Sequence, residues 1–234
     1  MLGNCRKSIL VLLVGLTLAL PSVVVAADDP DPYESLNRKI FAFNEFSDRW
    51  FLKPVARGYR WITPYFVDDA VTRVFGNLAE ISNFTNSALQ GDLSQSGESF
   101  TRFVINSTIG VAGIFDVATG MGLEQHKEDF GQTFGVWGIE SGPYIVLPFL
   151  GPSSMRDAFS TVPDIYLSPV TYIDHVPTRN STRATGIIDG RADLMDIEQL
   201  VTGDRYTFLR DIYLQTREAD VLNGDIEDDF DSDF

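Results

Sequence analysis

The stretch from Glu128 to Asp157, EDFGQTFGVWGIESGPYIVLPFLGPSSMRD, limits what this chain can become more than any other segment. Between Asp129 and Arg156 it holds one charged side chain, Glu140. Gly131, Gly135, Gly138, Gly142 and Gly151 punctuate it, with Phe134, Trp137, Tyr144 and Phe149 between them. A soluble loop is polar, and a buried helix avoids glycine at this density because each costs roughly 1 kcal/mol against alanine. A segment that is apolar, aromatic and glycine-rich at once implies backbones packed closely where water is scarce. Two arrangements meet that description. One is a glycine-rich turn region over a core; the other is a membrane-embedded element, where small residues let neighbours approach.

The start of the chain supports export. Arg6 and Lys7 precede an apolar run from Ile9 to Leu20, and Val25-Ala26-Ala27 fits a small-x-small cleavage site, with cleavage after Ala26 as the alternative. The run is too short and wrongly flanked for a transmembrane helix. Residues 1–27 are therefore expected to be a cleaved signal peptide, leaving about 207 residues, enough for one domain with a sizeable core. The single cysteine, Cys5, lies ahead of the apolar run. It is wrongly placed for the lipid-modified cysteine of a bacterial lipoprotein, and the mature chain is expected to be unlipidated and without disulfides.

Charge narrows the partners. The whole sequence carries a formal −15; the leader holds two bases and no acid, so its removal gives −17. That argues against nucleic acid and against electrostatic docking on anionic headgroups, so any membrane contact must be hydrophobic. Six of the ten residues from Asp225 to Phe234 are acidic, the pattern of a solvated, disordered tail.

Periodicity points to a mostly helical chain. After the leader no run of 18 apolar residues occurs. Asp31-Pro32-Tyr33-Glu34 reads as a helix start with Asp31 as cap and Pro32 at the first helical position. On the helix that follows, expected to end before Pro54, Leu36, Ile40, Phe43, Phe46, Trp50 and Phe51 fall within an arc of about 140°. Glu34, Arg38, Glu45, Asp48 and Arg49 lie opposite. Such a helix either faces a core or lies in a lipid interface. Further helices are expected from Thr63-Pro64 to about Leu78, from Asn77 to Leu89 with a stop at Gly91, and over Ser94–Ile109. A short extended piece is expected at Leu147–Phe149 and a helical turn over Pro152–Phe159. Two late helices, Arg183–Leu200 and Asp204–Leu222, complete the chain. No convincing two-residue alternation marks a strand series.

Catalytic signatures are missing from the sequence. The mature chain has two histidines, His126 and His175, with no H-x-x-x-H spacing for zinc. There is no G-x-S-x-G elbow, phosphate loop or dinucleotide fingerprint. Nothing points to a Ser–His–Asp arrangement. The acid pairs Asp68-Asp69 and Glu128-Asp129 read as solvated or capping groups.

Taken in order, several motifs form a recognisable series: DPYESLNRKIFAFN (Asp31 to Asn44), LKPVARGY (Leu52 to Tyr59), NSALQGD (Asn86 to Asp92), TRFVINSTIGVAGIFDVA (Thr101 to Ala118), the Glu128–Asp157 segment, and the late Tyr213–Glu218 stretch. This series resembles the MlaA/VacJ family of Gram-negative outer-membrane proteins across about Asp31 to Gly224. The resemblance implies an all-α fold over residues 28–224: a single ring-like helical domain with amphipathic helices lying in the membrane and a central amphipathic channel. It implies removal of mislocalised phospholipid from the outer leaflet, beside a trimeric outer-membrane porin, with hand-over to a soluble periplasmic carrier. No catalysis, cofactor or metal is implied. Many members carry a cysteine at the mature N-terminus, and this chain departs from them there. Gly131, Phe134, Gly135, Trp137, Gly138, Gly142, Pro143 and Tyr144 are expected to form a mobile hairpin bordering the lipid path, with Pro143 fixing its end. Leu36, Ile40, Phe43, Asn44, Phe46, Trp50 and Phe51 are expected on the membrane-interface helix. A periplasmic hydrolase acting on lipid or envelope material, and a structural envelope factor, are the competing classes. The hydrolase would lose turnover on changing His126 or His175.

Overall fold

The computed structural model describes residues 30–198 and 203–222. The expected signal peptide and the acidic tail at 225–234 lie outside the described residues. Helix α1 spans Glu34–Ser47 and runs through a π-helical turn, Asp48–Leu52, straight into α2, Lys53–Ile62. The helix thus does not end before Pro54. In the π turn the Lys53 N–H bonds the Asp48 carbonyl five residues back, which shifts the register by one. Pro54 then falls in the first turn of α2, where its missing N–H removes no bond. The start also differs from expectation: Tyr33, not Asp31, occupies the N-cap position, and it contributes no side-chain cap.

Helices α3 (Tyr65–Gln90) and α4 (Leu93–Thr108) form the longest antiparallel pair. The two helical stretches expected on either side of Asn77 are one continuous helix. It ends at Gly91, whose φ of 90° is the left-handed conformation that frees the chain to reverse. Asp92 then caps α4 by accepting from the Gln95 N–H at 2.9 Å. A short helix α5 (Val117–Gly120) follows the Gly110–Phe115 turn, and α6 (Phe130–Val136) is capped by Asp129.

Where one extended piece was expected, the chain makes an antiparallel hairpin. Strand β1 (Tyr144–Leu147) pairs with β2 (Gly151–Ser154) in the register Tyr144 opposite Ser154 and Leu147 opposite Gly151. Pro152 sits in β2, so the Pro152–Phe159 stretch is not one helical turn. Both strands are edges, and an edge tolerates a residue without an N–H. Helix α1 supplies the second neighbour of β1 with side chains. Asn37 donates to the Tyr144 carbonyl at 3.1 Å and accepts from the Val146 N–H at 3.0 Å. Asn44 donates to the Leu147 carbonyl at 2.9 Å and accepts from the Phe149 N–H at 2.8 Å.

Ser154 caps α7 (Met155–Leu167), a 3₁₀ turn follows at Pro169–Tyr172, and α8 (Val176–Ile197) and α9 (Arg205–Val221) complete the described chain. Helix α8 begins seven residues earlier than expected because His175 caps it, its Nδ1 accepting from the Thr178 N–H at 3.3 Å. All these elements belong to one unit starting at Tyr33. Its apolar core is small: Tyr144, Val146 and Tyr206, with Ile40, Phe41, Tyr213 and Leu214 packed on it. No helix among the described residues is long and apolar enough to cross a membrane.

Candidate functional site

The interior of this chain is polar and its exterior apolar. Among the described residues seven buried side chains are apolar and nineteen are polar or charged. The usual ranking of buried residues is the reverse. The inversion is written into α3, whose buried positions are Asn77, Glu80, Asn83, Asn86 and Ser87, spaced so that they stack on one helical face. Helix α4 answers with Ser99, Arg102 and Asn106.

Between these two faces lies the first buried network. Arg102 is 2% exposed; its Nε donates to Glu80 at 2.8 Å, and its other nitrogens reach the Leu123 carbonyl at 2.6 Å and Asp116 at 3.2 Å. Asn83 and Gln125 also donate to the Glu80 carboxylate, at 3.0 and 3.2 Å. Burial raises the Asp116 carboxyl, but the hydroxyl and N–H of Thr119, the Asn106 amide and Arg102 outweigh it and bring its pKa to about 2. Glu128, expected to be solvated or capping, is buried instead. It accepts from Gln90 at 2.7 Å and Gln95 at 3.0 Å, and burial outweighs those donors to hold its pKa above the usual range.

A second network joins the glycine-rich segment to the end of the chain. Arg217 on α9 reaches Asp129 at 2.6 and 2.8 Å and Asp157 at 2.7 Å. The Tyr213 hydroxyl and Arg156 also bond Asp157. Burial pushes the Asp157 carboxyl up, yet Arg217, Tyr213 and Arg156 together hold it below its ordinary value. Nearby, Asp164 accepts from the Phe130 N–H at 3.0 Å, and its burial pushes it up to about 6. A third network ties α1, α2, α8 and α9: Arg191 pairs with Asp48 at 2.6 Å and with Glu198 at 2.9 Å.

The outer surface carries what a water-soluble protein would bury. Trp61 is 87% exposed and Tyr65 84%, with Ile62 and Phe66 beside them in sequence. Leu36, Phe43, Phe46, Trp50 and Phe51 of the α1 stripe are exposed as well. Its polar side, by contrast, is engaged: Arg38 with Asp204, Glu45 with Arg205, Asp48 with Arg191. So the stripe does not face a core, with one exception: Ile40 packs on the small apolar cluster. Asn44 is taken up in holding the hairpin turn. Exposed apolar side chains also crowd the Ile109–Phe115 turn, the Phe149-Leu150 hairpin tip and α7 at Phe159, Val162, Ile165 and Tyr166. Val111 and Ala112 in the first of these sit at φ of 55° and 57°, a left-handed conformation that costs a β-branched residue energy. An apolar groove of about 360 Å³ opens beside that turn, lined by Val67, Val71, Val74, Phe75 and Ile114 with Thr185.

The expected loop residues are not gathered in one hairpin. Gly131, Phe134 and Gly135 lie in α6, Trp137 and Gly138 close it, and Gly142 and Pro143 lead into β1. Gly131 and Gly135 are sites of close approach. A Cβ at Gly131 would overlap the Arg217 guanidinium and Asp157, and one at Gly135 would overlap Arg156 and Val221. Gly138 and Gly142 instead need positive φ, 85° and 67°. Phe130, Phe134 and Trp137 stack in sequence at 5.8 and 5.9 Å between centroids, and Trp137 is exposed. Tyr144 does not border an opening: it is sealed in the core at 6.3 Å from the Tyr206 ring and 5.8 Å from Tyr213. Reading the sequence for apolar periodicity missed Glu80, Arg102, Asp157 and Arg217, while Asp129 caps α6 as one of the capping groups expected. The signal available was polar residues recurring at helical spacing in α3 and α4. Neither histidine stands in a metal cluster, and among the described residues no group of three or more metal-ligating side chains exists.

The chain is similar to known proteins in sequence and in fold. The sequence profile of the family described as MlaA lipoprotein matches residues 29–220. An uncharacterized protein of Rickettsia bellii is 36% identical over 195 residues, covering 82% of this chain and 76% of its own. The intermembrane phospholipid transport system lipoprotein MlaA of Escherichia coli is 32% identical over 206 residues, with 84% and 80% covered. A solved structure described as the structural basis for maintenance of bacterial outer membrane lipid asymmetry superposes with a TM-score of 0.72 at 29% identity. The match covers 82% of this chain and 98% of that one.

Proposed function

The chain belongs to the MlaA lipoprotein family, and we propose that it serves intermembrane phospholipid transport at the Gram-negative outer membrane. The observation that carries this reading is the inversion of polarity: paired charges inside, Trp50, Phe51, Trp61 and Phe66 outside. Each such ring offers roughly 150–250 Å² for burial, so a surface of this kind is stable only against lipid or apolar protein. No helix among the described residues is long and apolar enough to cross a membrane, and in this reading the exposed apolar faces lie against lipid.

Taking a two-chain lipid fully into water costs on the order of 20 kcal/mol, at roughly 0.8 kcal/mol per CH₂. A transporter must keep the acyl chains covered while the headgroup passes a polar surface. Apolar faces around a polar interior offer both. In this reading mislocalised lipid moves through an amphipathic channel beside a trimeric porin and leaves with a soluble periplasmic carrier. The glycine-rich segment borders that route. No nucleophile or metal is needed. Direction comes from the carrier, because a passive path cannot shift an equilibrium by itself. Cys5 precedes the apolar run, so attachment rests on the apolar surface rather than on a lipid modification; a diacylglycerol-sized increment in the intact mass would overturn that part.

The deciding experiment measures phospholipid in the outer leaflet of a strain lacking this chain. Accumulation that the parent gene reverses supports transport. Unchanged asymmetry with altered envelope integrity would point to a structural envelope factor. Lipid turnover lost on replacing His126 or His175 would point to a hydrolase.

A further inference from the structure

Positive charge gathers along one face of α2. Lys53, Arg57 and Arg60 stand at i, i+4 and i+7 on α2, on one face of the helix. Together with Arg205 they line a cavity of about 540 Å³, whose carboxylates are Asp196 and Glu198. Glu198 receives Lys53 at 2.9 Å and Arg205 at 3.0 Å; Asp196 receives Arg60 through two bonds of 3.1 Å. Burial raises Glu198, but Lys53 and Arg191 outweigh it and lower its pKa to about 2, so it stays ionised and holds those cations in place. Two donors are left over. Arg57 has no hydrogen bond or ion pair among the described residues, and Arg205 bonds Glu45 and Glu198 through Nη1, which leaves its Nη2 without a hydrogen bond among them; its Nε is buried. Four cations against two carboxylates leave the lining positive.

We propose that this cavity binds a phosphate group, the phosphodiester of a phospholipid headgroup, with Arg57 and Arg205 as its donors; the choice of ligand rests on the transport reading above. Guanidinium forks match phosphate oxygens in shape and charge. The source of the phosphate is argued from position. Trp61, exposed to 87%, follows Arg57 by four residues, roughly 6 Å along the helix axis. A lipid whose chains lie along Trp61 and Ile62 therefore brings its headgroup to Arg57. Lys53 and Arg60 raise the local potential without having to leave Glu198 and Asp196.

The test uses the full chain in neutral detergent, with calorimetric titration of three probes: dihexanoyl phosphatidylglycerol below its micelle concentration, inorganic phosphate, and dihexanoylglycerol, which lacks phosphate. Arg57→Gln removes an exposed, unpaired side chain and leaves the fold intact by circular dichroism. Arg49→Gln, also exposed and outside the cavity, is the control. Arg57→Gln is expected to weaken phosphatidylglycerol binding about tenfold, the scale of one lost charge-assisted contact. Arg49→Gln should stay within about twofold, and dihexanoylglycerol should not distinguish the variants. Lipid binding that Arg57→Gln leaves unchanged would overturn the cavity and leave transport standing. Arg57-dependent binding of inorganic phosphate with no lipid binding would make free phosphate the ligand, overturning the headgroup assignment and the transport reading together. No binding of any probe by the parent would overturn the cavity, while transport stands or falls with outer-leaflet phospholipid in the strain lacking the chain.

Discussion

Arg217 grips Asp129 with both terminal nitrogens, at 2.8 and 2.6 Å, across 88 residues of sequence. Its Nε closes on Asp157 at 2.7 Å, so one side chain ties the cap of α6, the first turn of α7 and the last turns of α9. Replacing it by Met leaves Asp129 without its guanidinium partner and Asp157 with Arg156 alone. The expected loss is about 3–5 kcal/mol of unfolding free energy, the usual result of removing one member of a buried pair. Arg217→Lys keeps the charge without the fork and should recover only part of it. Urea titration in detergent reads both; a loss under about 1 kcal/mol for Arg217→Met would show the network to be solvated.

The glycines separate into two mechanisms with different outcomes. Gly131→Ala places a methyl group into Arg217 and Asp157 and should cost stability on the scale of overpacking, about 1–3 kcal/mol. Gly138 has open space around its missing Cβ and needs only positive φ, which asparagine tolerates. Gly138→Asn should therefore express and melt like the parent. Gly138→Val, strained in φ but with open space at its Cβ, is the variant to use for lipid clearance. If it clears outer-leaflet phospholipid normally, the turn has only a packing role.

Because the α1–α2 stripe is exposed, charge there should affect location rather than fold. Trp50→Asp and Trp61→Asp are expected to leave the circular dichroism unchanged while moving protein from the membrane pellet to the soluble fraction. The penalty for a carboxylate in apolar surroundings is roughly 2.5–3.5 kcal/mol on insertion scales. Variants that pellet as the parent does would place these rings outside any lipid contact.

The helices were largely legible because heptad-scale periodicity survives inversion: Leu36, Phe43, Phe46 and Trp50 mark a face whichever way it points. Which way it points was not legible. That was decided by partners distant in sequence, Asp204 for Arg38 and Arg191 for Asp48. The hairpin escaped detection because β1 has one strand beside it and finds its other neighbour in Asn37 and Asn44, two amides on a helix. Pro54 misled for a related reason: a single register shift in the π turn removes the clash that normally stops a helix. Among the loop residues, Tyr144 was expected to border the lipid path but packs against Tyr206 and Tyr213, a contact no local pattern carries.

Asp164 gives a pH signature. Its ordinary value is 3.8 and burial raises it to about 6, so between those values the folded chain holds a proton that the unfolded chain releases. This carboxyl therefore opposes folding above about pH 6, and that opposition fades as pH falls toward 4. Asp164→Asn retains an acceptor for the Phe130 N–H and removes the ionisation. The variant should gain stability over the parent at pH 8 and lose the advantage near pH 4. An advantage independent of pH would assign the effect to another group.

An interior of paired charges also fixes how this chain answers temperature. The heat-capacity change of unfolding arises from apolar surface newly hydrated as the chain opens, commonly about 12–15 cal/mol/K per residue. Here much of the aromatic surface, Trp61 and Tyr65 among it, is outside already and changes its surroundings little on unfolding. The groups that do emerge are Arg102, Glu80 and their neighbours, and polar exposure lowers the heat capacity. The stability curve should be flat, with a broad plateau and little tendency to cold denaturation.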